Sequence, residues 1–136
     1  RRGALMLSIS VHHPQVLDFV NIKRDLTKVT GANISVRVSD DFMNAVMADN
    51  EYEQRWPIDS EDPQIVRNVN ARKVWDEIIQ SAHQSAEPGI LFWDTALKNT
   101  PSDIYKEEGF GSTLRGNYII SRRLLQVNAC KLNIFC

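Results

Sequence analysis

The chain has 136 residues, of which 43% are hydrophobic and 24% are charged, and its formal net charge is −1 at pH 7. This length and composition fit one globular domain with a hydrophobic core and exclude a disordered or collagen-like chain. The near-neutral charge gives no electrostatic basis for nucleic acid or an anionic membrane as a partner, and no apolar run approaches the roughly 20 residues that span a bilayer.

Thiol chemistry is limited to Cys130 and Cys136, which both lie in the last seven residues. Two such cysteines form neither a disulfide framework nor a four-ligand zinc set. This pattern favours a reducing, cytoplasmic setting and predicts no metal site.

The first half of the chain predicts a strand, a helix, a second strand and a second helix. Apolar and β-branched residues over 4–11 predict a buried strand, and an apolar helical face predicts a helix over 14–24. Strict alternation over 34–38 predicts a half-buried strand. Ser39, Asp40 and Asp41 offer N-caps for a helix over 40–49.

The second half predicts a polar connection, the longest helix and a third strand. The segment 51–66 contains two prolines and little periodicity, so we expect a loop or a short edge strand. A helix is predicted over 70–86, with Asn68 or Asn70 as its N-cap and with Trp75 and Ile79 buried. Extended chain is predicted over about 89–94. The alternation of strands and helices indicates an α/β unit.

Some residues suggest catalysis or metal binding, but their spacing favours structural roles. His12 and His13 form a candidate metal pair, yet neighbouring strand residues point to opposite faces and no third ligand is nearby. Asp76 and Glu77 form a candidate acid–base pair, yet neighbouring helical residues do not face each other. We therefore expect packed histidines and solvated carboxylates.

A close resemblance to a known family is carried by three strings, RRGALMLSISVHHPQVLDFVNIKRDLTKVTGANISVRVSDDFM, ARKVWDEIIQSAHQSAEPGILFWDT and NTPSDIYKEEGF. Together they resemble the catalytic (large) subunit of ribonucleotide reductase, most of all the adenosylcobalamin-dependent class. The resemblance implies that 1–113 is an internal fragment of the family's ten-stranded α/β barrel, and that 114–136 is a divergent C-terminal tail. Because barrel strands without their neighbours have open edges, we also expect exposed apolar surface.

The resemblance also implies the parent's activity and partners. The full-length parent is expected to convert ribonucleotides to deoxyribonucleotides for DNA synthesis, using adenosylcobalamin as cofactor. Its expected partners are a ribonucleotide substrate, a dNTP or ATP effector, and a second copy in a homodimer.

The stretch Arg1, Arg2, Gly3 and Ala4 resembles the end of a loop that lies, in the family, between the effector nucleotide and the substrate base. There it adjusts which ribonucleotide is accepted. An arginine fork suits this task because it donates to base edges or phosphate and stacks on rings, and glycine permits the backbone to switch. The alternative interpretation is that Arg1 and Arg2 are solvent-exposed basic residues without a role in a relay.

The family's radical cysteine stands in an Asn-Pro-Cys-Gly-Glu-Ile type motif shortly after a Gly-Phe and a Ser-Thr. Here the corresponding segment reads GFGSTLRGNYIISRR and contains no cysteine. Cys130 follows Asn128 at the family interval, but Leu132 stands where the acid is expected. We therefore assign no catalytic residue in this chain.

A frameshift after Thr113 is one hypothesis for this departure. The string CCCTGCGGGGAAATTATATC encodes Pro-Cys-Gly-Glu-Ile-Ile in one register. Read from its third base, it encodes Leu-Arg-Gly-Asn-Tyr-Ile, which is the sequence at 114–119.

Two classes of function remain open. The chain is either a fragment of a working reductase or a non-catalytic truncated or degraded paralogue that at most binds nucleotide or a partner. In both cases we expect the isolated chain to be inactive.

Overall fold

The computed structural model describes residues 5–25 and 27–99. The chain separates into two compact units, Arg1–Trp93 and Asp94–Cys136, and both sheets belong to the first. In chain order the described elements are β1 (Met6–Ser10), α1 (Val16–Asn21), a 3₁₀ helix (Ile22–Arg24), β2 (Asn33–Val38), α2 (Asp40–Ala48), β3 (Glu51–Trp56), β4 (Ile65–Asn70), α3 (Ala71–Ser85), β5 (Gly89–Phe92) and α4 (Trp93–Lys98).

The main sheet contains three parallel strands in the order β1-β2-β5. Leu7 pairs with Ile34, and Val36 pairs with Ile9 on one side and with Ile90 on the other. Because residues alternate between faces along a strand, these pairs place the apolar residues together on one face. The structure confirms the three predicted strands, with bounds shorter than or similar to 4–11, 34–38 and 89–94. Its mixture of helices and strands agrees with the predicted α/β fold class. The described residues form an open sheet and not a closed barrel.

Polar caps begin the two longer helices. The Ser39 hydroxyl accepts a hydrogen bond from the Phe42 amide at 3.2 Å, and the Asn70 side chain accepts one from the Lys73 amide at 2.9 Å. Such caps satisfy amides that have no partner inside the helix. Both helices end at a left-handed residue, Asp49 with φ 54° and Ala86 with φ 58°. The helices predicted over 40–49 and 70–86 are therefore confirmed within one residue at each end.

Helix α3 does not face the core in the predicted orientation. Ile79 is 44% exposed and Trp75 is only partly buried, so the prediction that both are buried is wrong for Ile79. The apolar residues of this helix form a stripe that includes Trp75 and Ile79, but the residues buried are those along one edge of it, spaced by three and four. That edge consists of Ala71, Val74, Ile78 and Ser81.

The segment predicted as a loop or short edge strand is mostly an antiparallel hairpin. Strands β3 and β4 pair along their whole length, from Glu51 with Asn70 to Trp56 with Ile65, and only 57–64 connects them. The loop alternative is wrong for 51–56 and 65–66, where the alternative of a short strand is confirmed, and these strands carry polar residues on both faces. Their sequence therefore lacks the apolar alternation by which a half-buried strand is recognised.

The expected exposed apolar surface is present. Large apolar side chains lie exposed at the outer strands and on the hairpin, and they include Leu5, Met6, Trp56, Ile65, Val66 and Phe92. Within the described ranges, no helix is long and apolar enough to cross a membrane.

Candidate functional site

The four residues predicted to form the relay loop, Arg1, Arg2, Gly3 and Ala4, lie outside the described residues, as do Cys130 and the tail over 114–136. Leu5 directly follows this stretch. The Leu5 carbonyl accepts a hydrogen bond from the Asn33 amide at 2.9 Å. The point at which the stretch joins β1 is therefore fixed by β2.

A compact ion pair lies at the amino edge of the parallel sheet. Lys23 Nζ lies 2.7 Å from Glu87 Oε2 and donates to the Ala32 carbonyl at 2.6 Å. Glu87 Oε1 accepts a hydrogen bond from the Ile34 amide at 3.2 Å. The two side chains are 15% and 22% exposed, so water screens this pair less than it screens a surface pair. The pair ties the 3₁₀ helix and the start of β5 to the start of β2.

A second ion pair lies next to it in sequence but joins different elements. Arg24 Nη2 lies 3.1 Å from Glu77 Oε2, and Arg24 Nε donates to the Ser81 hydroxyl at 3.2 Å. These charged side chains are 38% and 42% exposed, which makes the pair a weak contributor to stability. It links the 3₁₀ helix to α3.

The face of the parallel sheet opposite the apolar one is largely polar, although Met6 and Leu91 also lie on it. The register aligns Ser8 with Ser35 and Ser10 with Arg37 on this face. The Arg37 guanidinium lies over the Trp93 ring, 5.0 Å from its centroid. A cation over an indole face is attracted by the ring quadrupole, which holds the guanidinium near the carboxyl end of β5.

Both histidines after β1 contact the hairpin. The Tyr52 hydroxyl lies 2.5 Å from Nδ1 and 2.7 Å from Nε2 of His12. The His13 ring lies 4.7 Å from the Trp56 ring, and its Nδ1 accepts a hydrogen bond from the Gln15 amide at 3.0 Å. Burial lowers the pKa of His13 because it disfavours the charged imidazolium. Both residues therefore have the packing role that their spacing predicted.

Backbone and amide contacts complete the attachment of the hairpin. The Arg55 amide donates to the His12 carbonyl at 2.8 Å, and the buried Gln54 side chain donates to the Val11 carbonyl at 3.2 Å. Arg67 donates to Gln54 Oε1 at 2.9 Å. The polar residues of β3 and β4 thus hold the hairpin against the carboxyl end of β1.

Sequence reasoning missed Lys23, Glu87 and Gln54. Glu87 stands before Pro88 and Gly89, so the pattern indicated only the end of a helix. Lys23 belongs to a short basic stretch, a pattern that is typical of a solvent-exposed surface. No local pattern relates two charges so far apart in the chain, and only the pairing of β2 with β5 brings them together.

Residues 1–109 match the family model described as "Ribonucleotide reductase, barrel domain". The chain belongs to this family. The resemblance inferred from the sequence is therefore confirmed. The open sheet and helices are then a portion of the ribonucleotide reductase barrel domain.

Individual ribonucleotide reductases are identical to this chain at about a third of the aligned positions. A vitamin B12-dependent ribonucleoside-diphosphate reductase of Thermoplasma acidophilum is 33% identical over 102 residues, covering 74% of this chain and 13% of the relative. One of the same name from Mycobacterium tuberculosis is 32% identical over 102 residues, covering 74% and 14%. A vitamin B12-dependent ribonucleotide reductase of Streptomyces clavuligerus is 30% identical over 118 residues, covering 70% and 12%. The chain thus spans about one eighth of the length of these reductases.

These names raise the question of a cobalamin site in this chain. Imidazole nitrogen is a common ligand for transition metals. The ring nitrogens of His12 lie against Tyr52, and Nδ1 of His13 is occupied by the Gln15 amide. Across the described ranges, no group of three or more His, Cys, Asp or Glu side chains is arranged to hold a metal ion. A cobalamin site is thus not identified among the described residues.

Proposed function

We propose that this chain is part of the catalytic barrel of an adenosylcobalamin-dependent ribonucleotide reductase. Its full-length parent would reduce ribonucleotides to deoxyribonucleotides by thiyl-radical chemistry. The observation that carries this proposal is the match to the barrel-domain model over 1–109, supported by relatives named vitamin B12-dependent reductases. A parallel sheet with one apolar and one polar face also fits a barrel wall, whose two faces meet different surroundings.

Within the parent, this chain would supply scaffold and part of a specificity relay. Arg1, Arg2, Gly3 and Ala4 would form the end of the loop between a dNTP or ATP effector and the substrate base. Support comes from their position directly before β1, an outer strand of the parallel sheet, and from the donor geometry of arginine. The parent would act as a homodimer.

The radical cysteine of the parent would lie in the reading frame that is not translated after Thr113. Support comes from LRGNYI at 114–119, because one nucleotide string that would encode these residues also encodes Pro-Cys-Gly-Glu-Ile-Ile in another register. Sequencing the gene through this point is the test. A Pro-Cys-Gly-Glu-Ile segment in another register would support the frameshift, whereas no such segment in any register would refute it.

A second candidate is a non-catalytic paralogue, and the absence of Asn-x-Cys-x-Glu from 114–136 favours it for this chain. Full-length sequence separates the two candidates. An upstream redox cysteine and a downstream half-barrel would favour the enzyme, and an open reading frame without them would favour the paralogue.

The first prediction is that the isolated chain does not reduce ribonucleotides. The reaction needs a radical cysteine, a redox pair and a fully assembled site, and the positional and electrostatic contributions of such a site are lost when it is incomplete. The measurement is deoxynucleotide formation from radiolabelled ribonucleotide, with adenosylcobalamin, dithiol and effector supplied, beside an intact reductase. Turnover that disappears in Cys130→Ser would contradict the prediction and make Cys130 catalytic.

A further inference from the structure

The outer end of the β3–β4 hairpin, residues 56–66, here called the hairpin tip, carries apolar side chains on both of its faces. Trp56 and Ile65 are paired across the two strands and share one face, whereas Val66, the neighbour of Ile65, lies on the other. These three side chains are 43%, 51% and 53% exposed. Because both faces are apolar, the hairpin tip is suited to insertion into a socket and not to contact with one flat surface.

The hairpin tip is also acidic. It contains no Lys or Arg, and its three acidic residues, all exposed, are Asp59, Glu61 and Asp62. The two arginines of the hairpin have partners outside the tip. Arg55 pairs with Glu53 at 2.8 Å. Arg67 donates to the Pro14 carbonyl at 2.6 Å. Because an acidic surface repels nucleic acid and anionic membranes, the complementary surface is a protein surface that carries Lys or Arg.

Hydrogen bonds within the hairpin tip fix its conformation before any surface contacts it. The Ser60 amide donates to the Pro57 carbonyl at 3.3 Å, and the Ser60 hydroxyl donates to the Asp62 carbonyl at 3.0 Å. The same hydroxyl accepts a hydrogen bond from the Asp62 amide at 3.1 Å. Since little conformational entropy remains to be lost on docking, a small contact area can hold the tip in place.

The small size of the apolar patch favours the rest of the same polypeptide over a separate protein as its partner. Three half-exposed side chains fall well below the roughly 800 Å² that each partner buries in a specific complex of separate proteins. A contact of this size is stable when both surfaces belong to one chain, because the covalent connection gives them a high effective concentration. The part of this chain that matches the Thermoplasma acidophilum reductase covers only 13% of that relative, so most of such a protein lies outside this chain.

We propose that the hairpin tip docks into an apolar socket lined by Lys and Arg on the remainder of the parent polypeptide, outside residues 1–136. Trp56, Ile65 and Val66 supply the buried centre of this contact, and Glu61 and Asp62 pair with basic side chains at its rim. An apolar centre inside a polar rim is the usual anatomy of specific protein contacts. The inference rests on the proposed function in one respect, namely that the chain is part of a longer reductase.

The second prediction tests this docking by backbone hydrogen exchange in the full-length protein that contains the chain. Ile65→Lys places a charge in the buried centre, and the double variant Glu61→Lys, Asp62→Lys reverses the charge of the rim. The matched controls are Glu61→Asp, which keeps the charge, and Asp76→Lys, which reverses an exposed acid on α3. All the substituted side chains are exposed in this chain, and exchange over α3 reports whether each variant is folded.

We expect slow exchange over 56–66 in the wild-type protein and a rise of about tenfold or more in Ile65→Lys, because a buried apolar contact is lost. The double variant should show a similar rise, since like charges placed against each other at a contact are strongly unfavourable. Both controls should exchange like wild type, and exchange over α3 should stay unchanged in every variant.

Fast exchange over the hairpin tip in the wild-type protein would overturn the inference, and so would wild-type exchange in either Ile65→Lys or the double variant. Protection that disappears on dilution would assign the tip to a second subunit and overturn it as well, as would an open reading frame that ends at residue 136. A full-length protein with a protected tip but without ribonucleotide reduction would refute the proposed function alone.

Discussion

At the scale of single residues, the surroundings of His13 select its neutral form. Nδ1 accepts a hydrogen bond from the Gln15 amide just before α1, so the proton of the neutral ring is on Nε2. An imidazolium would present an N–H to that amide, and burial also lowers the pKa of His13. The ring therefore acts as an acceptor at the beginning of α1, where Gln15 supplies no side-chain cap.

The third prediction is a pH dependence of stability with a defined sign. The folded state disfavours the protonated form of His13, so the pKa of His13 is lower in the folded than in the unfolded chain. The stability that His13 contributes is therefore complete above the unfolded pKa of about 6.5. It is lost as the pH falls from that value through the lower folded pKa. We expect His13→Asn to flatten the decrease in unfolding free energy between pH 7.5 and 5.5, measured with urea.

The matched control is His83→Asn, since His83 is exposed on α3. This variant should keep the wild-type pH slope. An equal slope in wild type and His13→Asn would show that the imidazole is not held neutral.

At the scale of elements, the orientation of α3 gives two neighbouring isoleucines opposite surroundings. Ile78 is fully buried, whereas Ile79 is 44% exposed. The fourth prediction is that Ile78→Ala lowers the free energy of unfolding by about 2–5 kcal/mol because it leaves a cavity in the core. Ile79→Ala should cost only about 0.5 kcal/mol. Chemical denaturation of both variants measures this, and equal losses would contradict the observed face of α3.

The elements also show which features could be predicted from the sequence. The parallel strands and the helix caps Ser39 and Asn70 could be predicted because apolar runs and capping side chains are local signals. The hairpin could not, because Gln54 and Arg67 are polar residues that donate to the Val11 and Pro14 carbonyls outside the hairpin. The Lys23–Glu87 pair could not either, since its formation depends on which strands become neighbours.

At the scale of the whole molecule, the described sheet has apolar residues beside its outer strands. Met6 on β1 is 47% exposed and Phe92 on β5 is 53% exposed. Unpaired strand edges with apolar side chains are templates for pairing with another chain. The fifth prediction is that the isolated chain self-associates with rising concentration and that Phe92→Lys weakens this, measured by sedimentation velocity.

The control is Met47→Lys, because Met47 is 78% exposed but lies on helix α2 and not on a strand. This variant should associate like wild type. Equal effects of both lysine substitutions would indicate general hydrophobic adhesion and contradict pairing through the β5 edge.

The position of β5 has a consequence for synthesis on the ribosome. Strand β2 pairs with β5, yet the fifty residues from 39 to 88 separate them in the chain. At roughly 5–20 residues per second, translation of this stretch takes about 3–10 s. During that interval, β2 has no strand on the side that later pairs with β5. Glu87, which neutralises Lys23 in the folded chain, has not yet been synthesised. The amino edge of the sheet therefore becomes fully assembled only after α3 has been translated.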